Sequence, residues 1–434
     1  MKILFILQDA LRPDRLGCYG YRKNTSPHID RLAREGVLFQ NCIAVSTHTF
    51  PPIVSINTGC NIATHGLMGP LDYERWKNGA WQNRRTPLHV LRDAGFQIDG
   101  ELVSRWHPLG FTRDTETEKI ENYFEDNRDG QWYFFAEPYQ THLPYNPPPK
   151  YLQMFWPDGY APDEDTRARL DIVKSKMIIH PPDVMSAFEA GEEDAIGQGD
   201  EAHRRSAAVV SFAPEKDKPG VDALYDGEVR VFDDLVGRWI SKLEALDILD
   251  ETLIIISSDH GEELLERGHI GHTSCCLKGT LFDECLKVPL IIRYPRALPA
   301  GKKIEHQISQ IDIMPTIFDV LDLPIPTPAD GDSLLPLIRG EANYFRAEAY
   351  AETIPAGWQA LRADTRRMWC VRTRNWKLIL HTDTRGAARH YELFDLRSDV
   401  GETKNIYPQK SAEAEIIGLQ NKLDSEVLKK LHQQ

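Results

Sequence analysis

Leu253-Ile254-Ile255-Ile256-Ser257-Ser258-Asp259-His260 is an unbroken apolar run that stops on two side chains able to hold a metal ion. A run without polar alternation reads as a strand buried on both faces, the mark of a parallel sheet covered by helices. Ile3 to Leu7 repeats the pattern and Asp9 stands just beyond it, so two carboxylates close two buried strands. Apolar runs and helical periods continue to alternate through Pro27 to Glu35, Trp132 to Ala136, Asp226 to Leu246 and Val288 to Arg293. The expected fold class is therefore α/β, with a large mixed, mostly parallel sheet sandwiched by helices. Ligands of such sheets bind beyond the carboxyl ends of the strands, where Asp9, Asp259 and His260 fall.

Outward from these strands the chain divides into residues 1–340 and a smaller α+β subdomain over residues 341–434. Ser26 followed by Pro27 reads as a helix start, and Gly36 as its stop. Pro147-Pro148-Pro149, Pro181-Pro182 and the acidic stretch Glu189 to Asp194 break the pattern between about 150 and 220. That segment is expected to be a surface insertion, read equally as a lid or as a solvated loop. Beyond Gly340, Trp376 to Leu380 and Tyr391 to Asp395 read as antiparallel strands, and Ala412 to Leu431 as an amphipathic terminal helix.

The 434 residues carry 51 Lys+Arg against 65 Asp+Glu, a net charge of -14. That balance argues against a nucleic-acid or anionic-membrane partner, so an anionic ligand must find a local positive pocket. No run approaches the roughly 18 apolar residues of a membrane span, and Ile3 to Leu7 is too short for a signal segment. Cys18, Cys42, Cys60, Cys275, Cys276, Cys285 and Cys370 are odd in number and form no CxxC pair. They are expected to be reduced thiols of a cytoplasmic protein.

Two carboxylates and an imidazole at strand ends suit one divalent ion. The order of further stretches resembles the sulfatase branch of the alkaline phosphatase superfamily. They are Ile3 to Arg12, Leu16 to Gly20, Ser26 to Phe39, Thr58-Gly59, Ser257 to Glu262, Lys278 to Leu281, Val288 to Arg293, Asp312 to Thr316, Gly331 to Leu334 and Glu392 to Asp395. The resemblance implies a large α/β domain that holds the active site and a small C-terminal subdomain with a short antiparallel sheet.

Counted back from Thr58-Gly59, the resemblance puts Thr49 at the nucleophile position. True sulfatases carry Cys-x-Pro-x-Arg there, and the cysteine is oxidised to formylglycine. This chain reads Thr49-Phe50-Pro51-Pro52-Ile53. Threonine cannot become formylglycine, so no formylglycine is expected, and the hydroxyl itself would attack after activation by a divalent ion. Threonine holds the position in superfamily branches that act on phosphorus esters. The resemblance thus implies a metal-dependent hydrolase of a small anionic substrate: a phosphate diester, a phosphonate monoester or a related ester. Alternatives are a sulfuric ester hydrolase using threonine directly, a transferase in which an alcohol replaces water, and a non-catalytic anion binder. On the residues alone, Thr49 reads as the N-cap of a helix opened by Pro51.

The implied metal ligands are Asp9, Thr49, Asp259 and His260, for one ion. The single imidazole favours Mn2+ or Zn2+ over Ca2+ or Mg2+. Gln8 and Ala10 flank a single aspartate where many sulfatases carry an Asp-Asp pair. Arg105 and His107, in Ser104-Arg105-Trp106-His107, match residues that contact the substrate anion. Lys278 matches a lysine on the transferring group, and His142 or His272 would protonate the leaving oxygen. His48 is expected to point elsewhere, and Asp312 to cap a helix near Pro315. A second metal would have to draw on His142, His269, His272 and Asp226. A homo-oligomer is compatible with all of this.

Overall fold

The computed structural model describes the chain except residues 70, 71, 74, 75, 77–83, 102, 184–206, 277, 343–345, 356, 358–365, 383–388 and 432–434, and the side chains of 104, 105, 430 and 431. Its strands run β1 (Lys2–Gln8), β2 (Val37–Ile43), β3 (Gln97–Gly100), β4 (Arg113–Asp114), β5 (Trp132–Ala136), β6 (Ile178–His180), β7 (Ala207–Val209), β8 (Thr252–Ser258), β9 (Glu263–Leu264), β10 (Ile270–Gly271), β11 (Lys287–Arg293) and β12 (Lys302–Ser309). Eight of them form one sheet in the order β12-β2-β11-β8-β1-β5-β3-β4. Only β11 runs antiparallel, to both β2 and β8.

The unbroken apolar runs have a simple cause. Side chains alternate across a strand, and in β1 Ile3, Phe5 and Leu7 enter one core while Leu4 and Ile6 enter another on the opposite face. Helix α2 (Phe50–Thr58) covers the first face with Phe50, Ile53, Val54 and Ile56. Helix α1 (Pro27–Glu35) and the long helix Pro214–Ala245 cover the second, the latter through Val221, Leu224, Tyr225, Phe232 and Trp239.

Three local expectations change. Ser26 precedes α1 but makes no capping bond from its side chain. The Asp233 carboxylate of the long helix accepts the His28 and Ile29 N–H groups instead, at 3.2 and 2.8 Å. The long helix begins at Pro214, not near Asp226, because its first turns rest on polar contacts that hydrophobic periodicity does not report. There Asp217 accepts the Ala213 N–H at 2.7 Å and pairs with Arg169 through both oxygens. The segment read as a lid or loop holds helices at Pro149–Phe155 and Glu164–Val173, with Leu170 and Val173 buried in the second core. The acidic stretch Glu189 to Asp194 lies outside the described residues.

Beyond the main sheet, β13 (Ala349–Thr353), β14 (Arg367–Arg372), β15 (Trp376–Thr382) and β16 (Arg389–Asp395) form an antiparallel meander. Helix Ala414–Leu431 closes it, packing Ile416, Leu419 and Leu423 against Trp369, Trp376, Leu378 and Leu380. All seven cysteines carry free thiols. No helix among the described residues is long and apolar enough to cross a membrane.

Candidate functional site

Register builds the centre of the site. Gln8 of β1 pairs with Ser258 of β8, so the next residues, Asp9 and Asp259, leave the sheet side by side. Asp259 is held by two backbone donors on one oxygen, Ala10 N–H at 3.1 Å and His260 N–H at 2.8 Å. Its other oxygen, Oδ2, is buried with no hydrogen-bond partner among the described residues, and His260 Nε2 lies 3.4 Å from it. His260 donates Nδ1–H to the Gly261 carbonyl at 2.9 Å, which leaves Nε2 as a lone pair facing Asp9 Oδ1 at 3.8 Å. Gln310 fixes this strand end from behind, donating to the Ser258 and Asp259 carbonyls at 2.6 and 2.8 Å while accepting the Val45 N–H at 3.1 Å.

Ligand atoms of Asp9, Asp259 and His260 thus converge within 4.8 Å of one another, all three buried. Facing acceptors with no proton between them are costly unless a cation neutralises them. The residues fit a divalent ion, as the strand-end reading expects.

Thr49 completes the group. It precedes α2 in helical conformation, φ -52 and ψ -44, and its side chain makes no capping bond, so the simple N-cap reading does not hold. Thr49 Oγ1 sits 3.4 Å from His260 Nε2. Every residue from Cys42 to Cys60 is buried except Thr49. One hydroxyl is left open at the mouth of an otherwise closed wall.

Around this centre the imidazoles gather more closely than expected. The His260 and His272 rings lie 4.2 Å apart, and the His142 and His272 rings 4.8 Å. His48, expected to point elsewhere, is buried within electrostatic reach of His260, and burial with that neighbour holds it down to about 3. Burial holds His142 down to about 3 as well, and holds His272 well below the ordinary imidazole range.

A neutral His142 donates Nδ1–H to the Leu143 carbonyl at 2.6 Å, which leaves Nε2 as an acceptor facing Cys275 Sγ at 3.3 Å. His272 Nδ1 is likewise engaged, at 2.9 Å from Glu262 Oε1. Both histidines expected as proton donors thus stand at the cluster, each with Nδ1 engaged behind it. Each turns Nε2 toward the cluster.

Other expected residues stand apart. Lys278 is half exposed and paired with Asp183 at 2.8 Å, with no described contact to Thr49, Asp259 or His260. His107 is exposed and engages the Phe111 carbonyl at 2.9 Å; its neighbour Trp106 stacks on Phe50 of α2. The Arg105 side chain lies outside the described residues. His269 pairs with Glu263 at 3.2 Å. Asp226, in the long helix, binds Arg15, Tyr21 and Lys23 of the segment before α1, which removes it from the ligand pool. Asp312 makes no side-chain capping bond to helix Ile313–Val320; its carboxylate instead accepts the Ser309 N–H at 2.8 Å and so closes the short turn Gln310–Asp312 that leads into that helix.

Cys275 joins the site without a signal in the sequence; Glu262 ends the stretch Ser257 to Glu262 that carries the resemblance, but no role is read for it there. Cysteine spacing points to a site only through close pairs of the CxxC kind, which this chain lacks, and Glu262 follows Asp259-His260 with nothing in its spacing to mark it.

Comparison with known proteins bears on the family and the fold. A family model described as sulfatase matches residues 2–116 and 106–323, and one for the C-terminal part of N-sulphoglucosamine sulphohydrolase matches 272–431. An N-acetylglucosamine-6-O-sulfatase of Bacteroides thetaiotaomicron is 25% identical over 93% of this chain and 82% of its own length. Among solved structures, a phosphonate monoester hydrolase of Agrobacterium radiobacter superposes with a TM-score of 0.72 at 20% identity, over 99% of this chain and 96% of that one. A protein solved with its substrate D-glucosamine-2-N,6-O-disulfate superposes at 0.69 and 20% identity, over 99% of this chain and 98% of that one.

Proposed function

The chain belongs to the sulfatase family of hydrolases that act on ester bonds, and from that premise we propose that it cleaves a phosphate diester or phosphonate monoester with Thr49 as nucleophile. The observation that carries this reading is the Thr49 hydroxyl, alone open in a buried wall, uncommitted to the helix behind it and 3.4 Å from His260. Asp9, Asp259 and His260 would hold a divalent ion, which when bound supplies Lewis acidity and lowers the pKa of a hydroxyl it touches.

Thr49 Oγ1 loses its proton to solvent and forms a bond to phosphorus as the bond to the leaving oxygen breaks, and that oxygen takes a proton from solvent. Water then cleaves the phosphothreonine and restores the hydroxyl. Arg105 and His107 are assigned to the substrate anion. Lys278 joins them by exchanging Asp183 for the negative charge of the ester.

A second reading, sulfuric ester hydrolysis by the same threonine, is favoured by the sulfatase relative that spans most of the chain. One experiment separates the two. Metal-loaded wild type and Thr49→Ala are assayed on a phosphate diester, a phosphonate monoester and a sulfate monoester, with peptide mass spectrometry of quenched turnover. The phosphorus reading expects preference for the first two, phosphorus trapped on Thr49, and a loss of more than about 10³-fold in Thr49→Ala. Preference for sulfate selects the second reading, turnover unchanged in Thr49→Ala removes the nucleophile, and inactivity on all three removes both readings.

A further inference from the structure

Beside the Asp9, Asp259 and His260 group lies a second cluster of a different chemical character. His142, His272 and Cys275 are all buried, and their ligand atoms fall within 4.8 Å of one another. We propose that these three side chains form a second metal site, one that takes a thiolate-preferring ion, Zn2+ above all, and makes the centre binuclear. The site stands whether the ester is one of phosphorus or of sulfur.

Four observations carry it. First, both imidazoles are oriented for ligation. His142 Nδ1 is bound to the Leu143 carbonyl at 2.6 Å and His272 Nδ1 to Glu262 Oε1 at 2.9 Å, so both rings turn Nε2 inward. A histidine that holds zinc through one nitrogen usually gives the other to a carboxylate or a carbonyl. Glu262 is in turn fixed by the Tyr145 hydroxyl at 2.8 Å, which stiffens His272 from a further shell.

Second, the thiol is at ligand distance. Cys275 Sγ and His142 Nε2 are 3.3 Å apart. Zn–S and Zn–N bonds of about 2.3 and 2.0 Å meeting at a tetrahedral angle set those atoms roughly 3.5 Å apart. The widest pair in the cluster needs to close by only about an ångström.

Third, the backbone places His272 and Cys275 together. The chain turns tightly after β10, with the Cys275 and Cys276 N–H groups both donating to the His272 carbonyl, at 3.1 and 2.9 Å. Ser274 takes φ 89 in that turn, a conformation strained for a residue with a side chain. The strained turn brings a cysteine back over a histidine three residues earlier, and Ile179 of β6 holds it there by donating to the Cys275 carbonyl at 2.9 Å.

Fourth, three protein ligands are what a catalytic zinc site offers, with a fourth position left open. The His272 ring lies 4.2 Å from that of His260, so the two clusters adjoin. Ions held at both clusters would supply more charge stabilisation to an ester than either gives alone. On binding, the Cys275 thiol loses its proton to solvent and its thiolate bonds to the ion, while both imidazoles enter neutral.

The test reads the thiolate directly. Full-length apoprotein is titrated with Co2+ and followed by absorption, and metal content after Zn2+ loading is counted for wild type, Cys275→Ser and Cys276→Ser. The proposal expects a near-ultraviolet thiolate-to-cobalt band and two ions per chain in wild type and Cys276→Ser, with no band and one ion in Cys275→Ser. A wild type that loads one ion without the band overturns the proposal, and so does a band that survives Cys275→Ser. The wild-type spectrum alone can overturn it, however well or badly the variant folds. One ion bound without the band leaves the Asp9 site intact, so failure here is distinct from failure of the proposed function.

Discussion

Glu228 shows at a single residue how burial sets a charge state. It sits in the long helix, 7% exposed, and accepts the Asn146 N–H at 2.7 Å. Burial raises its carboxyl to about 7, against about 4.3 for an unfolded glutamate. The folded state therefore binds the proton more tightly than the unfolded chain. The associated stability is complete below the unfolded value and declines as pH rises, until the folded group has also ionised. Glu228→Gln keeps the acceptor for Asn146 and copies the protonated form. Its advantage over wild type should be absent near pH 4, grow from about pH 5, and level off above about pH 8 at no more than about 4 kcal/mol. Urea denaturation across that range checks the sign, and a gap that shrinks with rising pH would refute it.

At the scale of elements, the loop leaving β8 shows how the site is carried by backbone. Gly261 N–H donates to the Cys285 carbonyl and Glu262 N–H to the Glu284 carbonyl, at 2.8 and 2.9 Å, lacing the loop to the chain just before β11. A Cβ at Gly261 would press on the Glu284 carbonyl oxygen, a backbone atom that cannot rotate away. Gly261→Ala should push apart the segments that aim Asp259 and His260, lowering Tm by several degrees and weakening divalent-metal affinity at least tenfold. Gly418 is the control. In helix Ala414–Leu431 its added Cβ meets nothing within 4 Å, so Gly418→Ala should stabilise by about 0.5–1 kcal/mol and leave metal affinity alone. Calorimetry with metal titration reads both, and unaltered affinity in Gly261→Ala would sink the lacing argument.

The same loop shows what a sequence can disclose. Asp259 and His260 stand out because β8 is buried on both faces and its apolar run ends abruptly on them. Edge strand β12 carries a polar pattern with several exposed side chains, so its place beside β2 emerges only from pairing. Cys275 reaches His142 through a turn and a contact 133 residues apart, and no local period encodes that distance. Lys278 matches by position, but position does not tell whether its ammonium meets substrate or Asp183.

At the scale of the whole molecule, the two sheets are locked by buried charge. Lys377, on β15 of the small sheet, has a fully buried side chain whose Nζ lies 2.5 Å from Asp283 and 2.6 Å from Glu402. It also donates to the Leu281 carbonyl at 3.1 Å. Asp283 stands just before β11 of the main sheet and is gripped again by Arg372 of β14, through bonds of 2.9 and 2.6 Å. Two strands of the small sheet thus hold one carboxylate at the edge of the main sheet's β11, and neither partner is free to hydrate when the other leaves. A buried pair adds little net stability while intact but costs about 3–5 kcal/mol when one member is removed. Lys377→Met should lose about that much, since Glu402 is then left buried without its cation while Arg372 still serves Asp283. Lys377→Met/Glu402→Gln should recover most of the loss, because no orphaned charge remains. Chemical denaturation followed by near-ultraviolet circular dichroism and by metal release should show both probes shifting together, since the lock joins the sheet that carries Asp259 to the one that carries Lys377. A loss below about 1 kcal/mol, or metal release that keeps its wild-type midpoint, would mean that the two sheets stand independently.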